Sequence, residues 1–142
     1  MKENINALDE IHKGACMGVD AIKDVLDKVK DKSLTNELNN ELNEYNDIAR
    51  EIEKIYPKYN DGKPHETTII SKAMTWYHIE METLTDESNS NLAELLLQGL
   101  NMGIIEGRKI LNNKNLDNEI KDIVSKYVVM QEKNAETMKK YL

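Results

Sequence analysis

Apolar positions fall on helical stripes along nearly the whole chain. Ile5, Leu8, His12, Ala15, Val19, Ile22, Leu26 and Val29 recur at alternating spacings of three and four, and Ile11 and Val25 widen the seam. Such spacing gives one face of an α-helix to a core. A polar run over residues 27–32 closes this stripe, and Ser33 or Thr35 is the expected cap of the next helix. That helix carries Leu34, Leu38, Leu42, Tyr45, Ile48, Ile52 and Ile55. Pro57 should end it, because proline inside a helix clashes with the preceding turn. Residues 59–64, with Asn60, Asp61, Gly62 and Pro64, read as a loop.

The second half repeats the theme. A crossover segment over residues 66–85 places Ile70, Ala73, Met74, Tyr77, Met81 and Leu84 on a helical stripe. Residues 86–90 form a break rich in capping side chains. A helix over 91–111 points Ala93, Leu97, Leu100, Ile104 and Leu111 inward. After a turn at 112–115, the last helix shows Leu116, Ile120, Ile123, Val124, Tyr127, Met130 and Met138. The pattern predicts an all-α, four-helix bundle: two hairpins joined by a helical crossover, in one domain spanning residues 1–142.

An internal repeat supports the two-hairpin layout. Residues 14–18 (Gly-Ala-Cys-Met-Gly) resemble 99–103 (Gly-Leu-Asn-Met-Gly), and Leu26 then matches Leu111. With a shorter turn in the second half, Leu34, Glu37, Leu38, Leu42 and Tyr45 match Leu116, Glu119, Ile120, Val124 and Tyr127. Duplication of a helical hairpin accounts for the ordered series. Gly14 and Gly18 share one helix face, as do Gly99, Gly103 and Gly107. A glycine in a helix interior costs up to about 1 kcal/mol relative to alanine. Close packing would offset that cost, so Gly14, Gly18, Gly99 and Gly103 are expected where the first helix crosses the one after the crossover.

At these positions the chain resembles the ferritin-like, rubrerythrin-type bundles, and in particular small bacterial members with Met-Gly motifs in the first and third helices. Met17-Gly18, Met102-Gly103 and the Leu84-Thr85-Asp86 stretch carry the resemblance. It implies the scaffold of two hairpins with a long crossover. It also brings to mind that superfamily's carboxylate-bridged di-iron or di-manganese centre, which takes a Glu from each of two helices and a Glu-x-x-His from each partner helix. Here the sequence departs: His12, His65 and His78 follow Asp9, Gly62 and Thr75 by three, so no Glu-x-x-His exists. Gln98, Gln131 and Asn134 stand as amides where ligands could have been, and amides are poor replacements for carboxylates at iron.

Composition narrows the function classes. Charged residues make up 32% of the chain and the formal net charge is −7, which disfavours sequence-independent contact with a phosphate backbone. No nucleic-acid partner is expected. Cys16 is the one cysteine, so no intrachain disulfide forms. The acidic first ten residues do not read as a secretory signal, and the most apolar run, 92–105, is interrupted by Glu94, Gln98 and Asn101, so neither export nor a membrane span is expected. The expected location is the cytoplasm.

Three constellations remain. His12, Asp9 and Cys16 share one helix face, a soft-metal or haem-contact geometry; a core-edge histidine beside a small buried thiol is the preferred reading, since no second His or Cys joins them. His78 and Glu82 sit on the crossover near Trp76 and read as a solvated face, while Trp76, Ile79 and Ile69 lie off its stripe and suit equally an oligomer contact or a cover for the open side of the bundle. Glu41 falls near the core seam between Leu38 and Tyr45, where a buried carboxyl must be paired or protonated and would be a functional candidate; the more common outcome is a Glu that reaches the surface through its long stem. No phosphate-binding loop, nucleophile triad or zinc ribbon is present.

The preferred expectation is therefore a non-catalytic, cofactor-free structural or protein-interaction module that forms a homodimer. The alternative is a divergent carboxylate bundle of di-iron type, or a redox or stress-related protein, binding iron or manganese through His12, Glu41, Glu44, Asp47 and Glu132. A third reading places an apolar ligand between the helices, which requires an internal cavity near the glycines.

Overall fold

A computed structural model describes the backbone of residues 1–64 and 72–142, and the side chains of 1–64 and 75–142. Its long helices are α1 (Lys2–Leu26), α2 (Lys32–Ile55), α4 (Asn89–Asn113) and α5 (Asn118–Lys139), with the shorter α3 (Lys72–Glu82) between the two pairs. At about 1.5 Å per residue each long helix spans more than about 30 Å, so neighbours can pack along their whole length. α1 pairs with α2 and α4 with α5 as hairpins; α1 also meets α4 and α5, α2 meets α5, and α3 lies against α1.

The elements end where local chemistry stops them. Asp31, in extended backbone, accepts a 2.8 Å bond from the Leu34 amide and caps α2. This corrects the expectation of Ser33 or Thr35. Thr35 instead bonds the Asp31 carbonyl, and the Ser33 hydroxyl lies 2.7 Å from that of Tyr141. Replacing Asp31 by Ala is expected to lower stability by about 1 kcal/mol. A urea titration would show a lower midpoint at unchanged slope; an unmoved midpoint would remove Asp31 as the cap. α2 stops at Ile55, and Pro57 enters a single 3-10 turn, Tyr56–Lys58. Gly62 has a φ of +87°, the left-handed conformation that turns the loop. Ser88 caps α4 by accepting from the Asn91 amide.

The core joins both hairpins. Leu8, Ile11, Leu34, Leu38, Ile48, Ile52, Leu92, Ile120, Val124 and Met138 are buried across it. On α1 the buried stripe runs through Asn4, Ala7, Leu8, Ile11, Ala15, Ile22 and Val25. It is turned about one position from the expected seam, leaving Ile5, His12, Val19 and Leu26 at its edge. α4 is turned likewise, with Leu92, Leu96, Gly103, Gly107 and Ile110 inward and Leu97, Ile104 and Leu111 half-buried. Asn4 is buried because its Oδ1 accepts a 2.9 Å bond from the Asp117 amide, and Glu3 accepts from the Asn115 amide. The start of α1 thus braces the α4–α5 turn. On α3, Tyr77 is half-buried and Met81 buried; the expectations for His65, Ile69, Ile70, Ala73 and Met74 lie outside the described side chains.

Candidate functional site

The site begins with what the glycines make room for. A methyl group on Gly14 would run into the Tyr127 hydroxyl, and one on Gly18 would lie 2.6–2.8 Å from the Tyr45 ring. On α4, one at Gly99 would crowd the Tyr77 ring and one at Gly103 would collide with the Gln131 amide. The nearest atoms are side chains of α2, α3 and α5, not the backbone of a facing helix. The expected role of Gly14, Gly18, Gly99 and Gly103 therefore changes: they admit large polar-tipped side chains into the bundle centre. All four also line an opening of about 300 Å³ between α1 and α4.

The floor of this cavity comes from α2 and α5. Tyr45 and Tyr127, the pair matched by the internal repeat, meet edge to face with ring centroids 6.3 Å apart. Gln131 Nε2 donates to the Tyr45 hydroxyl at 3.2 Å. From α3, the Tyr77 hydroxyl donates to the Leu95 carbonyl at 2.9 Å, bringing the crossover against the same space. Burial pushes all three phenols above their ordinary range, so none is a phenolate near neutral pH.

Glu41 stands beside them at 3% exposure. Its Oε1 has no hydrogen-bond partner, and neither has Gln131 Oε1 or Asn134 Nδ2. Loss of water raises the Glu41 pKa to about 8; the Glu44 and Glu37 carboxylates push the same way, against the opposing pull of Lys133. At neutral pH this carboxyl holds its proton and can donate a hydrogen bond. At the mouth stand Glu10, Asp20 and Asp24 of α1, Glu106 of α4, and Lys13. Loss of water, followed by a hydrogen bond to Glu10, holds the Glu106 carboxyl above the ordinary range. Met17, Ala21, Ile22, Leu96, Leu100 and Met102 supply apolar wall.

The structure does not bring the alternative metal set together. His12 Nε2 lies 2.9 Å from Glu53, with Cys16 Sγ 3.9 Å from the other ring nitrogen. Its pKa rises to about 9, through the Cys16 contact first and Glu53 second. Glu44 pairs with Lys133 at 3.7 Å, Asp47 with Arg50 at 3.6 Å, and Glu132 with Arg108 at 2.7 Å. Of the five, Glu41 alone lines the cavity. Among the described residues no group of three or more His, Cys, Asp or Glu side chains is placed to hold a metal ion. The donors at the centre are one carboxyl, one amide and two phenols, which does not fit a carboxylate-bridged metal pair.

Of the amides singled out in the sequence, Gln131 and Asn134 are buried and Gln98 is exposed. His78 is exposed and reaches the cavity rim; Glu82 is exposed and does not. Sequence reasoning singled out Glu41, and its third reading called for a cavity near the glycines, but the tyrosines and Gln131 that floor it were not identified. The available signal was that each glycine motif has a tyrosine-bearing helix as its partner.

No protein-family model matches the sequence, and no curated protein is similar to it. Among solved structures, the bacterioferritin-related protein from Bacteroides fragilis, described as a dodecameric thioferritin, aligns with a TM-score of 0.74. The alignment covers 99% of this chain and 84% of that one at 14% identity. The chain has the ferritin-like fold, and no described helix is long and apolar enough to cross a membrane.

Proposed function

We infer that this chain is a non-catalytic binding module on a ferritin-like scaffold, holding a small and largely apolar molecule between α1 and α4. The observation that carries this reading is the cavity of about 300 Å³, walled by glycines from both helices and floored by Tyr45, Tyr127 and Gln131. A volume at the lower end of the usual ligand-site range has room for roughly ten to fifteen non-hydrogen atoms. The phenols, held protonated by burial, offer hydrogen bonds and no ready nucleophile or base. The poor fit of the central donors to a metal pair favours an organic occupant over the iron or manganese alternative.

Methyl resonances of the methionines test the reading. Met17 and Met102 line the cavity, whereas Met130 and Met138 do not. Titration with 1-hexanol is expected to shift the first two and leave the others in place. Unmoved Met17 and Met102 signals, or equal shifts throughout, would count against a cavity ligand. Iron or manganese near two atoms per purified chain would replace this reading with the metal alternative.

A self-association role is favoured by a separate observation. Ile79 on α3 and Ile105 on α4 are 53% and 55% exposed, and Trp76 is exposed on α3. Such residues suit a contact between copies of the chain, and the structural neighbour from Bacteroides fragilis is a dodecamer. A homodimer in the cytoplasm is the simplest assembly of this kind.

A further inference from the structure

The cavity carries a marked charge asymmetry. Among the described residues, the carboxylates Glu10, Asp20 and Asp24 line it together with the raised-pKa carboxyls Glu41 and Glu106, against Lys13 and the exposed His78 at the rim. A cluster of acids at a mouth is common on a chain of net charge −7 and means little alone. The floor adds an independent observation. Glu41 and Gln131, 3% and 2% exposed, both line the cavity, and an oxygen of each lacks a hydrogen-bond partner. Native proteins seldom leave buried acceptors unpaired, because each costs about 1–3 kcal/mol. Gln131 Oε1 accepts as it stands and Glu41 accepts once it ionises, so together they suit a cationic group that brings donors.

We propose that the cavity binds an organic ammonium ion with an apolar body, its N–H donors taken by Glu41 and Gln131. The inference rests on the binding-module reading above and adds the ligand's chemical class. An ammonium group carries three N–H donors and no acceptor, which matches a floor short of donors. Its hydrocarbon part meets Met17, Leu96, Leu100 and Met102, and the acids at the mouth favour approach of a cation. A neutral alcohol would bring one donor and no charge. A carboxylate would face the acids and leave the floor unpaired.

Binding also moves a proton. In the free chain Glu41 is protonated at neutral pH; beside a bound ammonium it ionises and gives that proton to solvent. Affinity therefore rises with pH towards 8. Other groups set the background. Glu37 and Glu44 repel the ionised form along α2, and Lys133 of α5 favours it. Tyr45, Tyr77 and Tyr127 stay neutral throughout. Glu10 and Glu106, which share a hydrogen bond beside Lys13, lie with Asp20, Asp24 and His78 at the mouth.

Isothermal titration of the intact chain with hexylamine, 1-hexanol and hexanoate tests the proposal, run in two buffers of different ionisation heat. Hexylammonium is expected to bind at least tenfold more tightly than hexanol, with hexanoate weakest. Proton release should appear at pH 7, and affinity should increase from pH 6 to pH 8. Glu41→Gln should abolish both the proton release and the ammonium preference while hexanol still binds. Equal binding of amine and alcohol would overturn the ammonium assignment and leave the cavity reading intact. Tighter hexanoate binding would overturn it too, as would displacement of hexylammonium by an equal concentration of Mn²⁺. If no straight-chain amine, alcohol or acid of four to eight carbons binds, both readings fall.

Discussion

Glu41→Gln is expected to stabilise the folded chain by about 3 kcal/mol at pH 7 and to leave it unchanged at pH 4. The side chain is 3% exposed, and its pKa rises from 4.5 in the unfolded chain to about 8 in the folded one. Between those values the folded chain keeps a proton that the unfolded chain has released. Stability therefore falls as pH rises through this window, and the loss is complete above pH 8. Below 4.5 both states hold the proton and the cost disappears. Glutamine keeps the shape without the titration, so its advantage should grow from near zero at pH 4 to its full size by pH 8. Urea unfolding of both proteins at pH 4, 6 and 8 would show it. Equal differences at all three pH values would assign the effect to packing instead of ionisation.

The second large effect is a loss. Gly18→Ala would gain up to about 1 kcal/mol from helix propensity if the site were open. The site is filled by the face of the Tyr45 ring, which is 4% exposed, abuts Tyr127 and is held by Gln131. The added methyl cannot be accommodated by turning a free side-chain end. Overpacking of this kind costs about 1–3 kcal/mol, and with the propensity gain subtracted a net loss of about 1 kcal/mol is expected. For a chain of this length that lowers the thermal midpoint by roughly 3 °C. Gly103→Ala should cost less, because the atoms in its way are the terminal amide of Gln131, which can turn into the cavity. A stabilising Gly18→Ala would show that Tyr45 can withdraw, and that the glycine keeps no space for it.

Much of the fold was legible in the sequence. Helix positions followed from apolar spacing, and the stop at Pro57 from the chemistry of proline. Facing angles were less accessible. On α1 the expected seam also ran through Ile5, His12, Val19 and Leu26, whereas the buried stripe keeps Leu8, Ile11, Ala15, Ile22 and Val25 and adds Asn4 and Ala7. Glycine and alanine weigh little as hydrophobic residues, yet their small size lets a face approach its neighbours, and this rotated the true contact away from the larger side chains. Asn4 was illegible for a related reason: its partner, the Asp117 amide, lies in a distant turn. Glu41 was found because a carboxyl on a core stripe is a local anomaly. The lining of the cavity was not, since it arises from glycines on α1 and α4 meeting tyrosines on α2, α3 and α5. A one-dimensional pattern records which residues are small, not what enters the space they leave.

The brace between the start of α1 and the α4–α5 turn bears on the order of events during folding. Asn4 and Asp117 are 113 positions apart, and Glu3 and Asn115 are 112 apart. The α1–α2 hairpin can pair from nearby contacts alone, but these two bonds cannot close until the turn before α5 exists. On a ribosome, which delivers the chain in sequence order, Asn4 must therefore wait until the turn before α5 has emerged. Until then its acceptor is satisfied by water, and this end of the bundle is sealed only after both hairpins have been made.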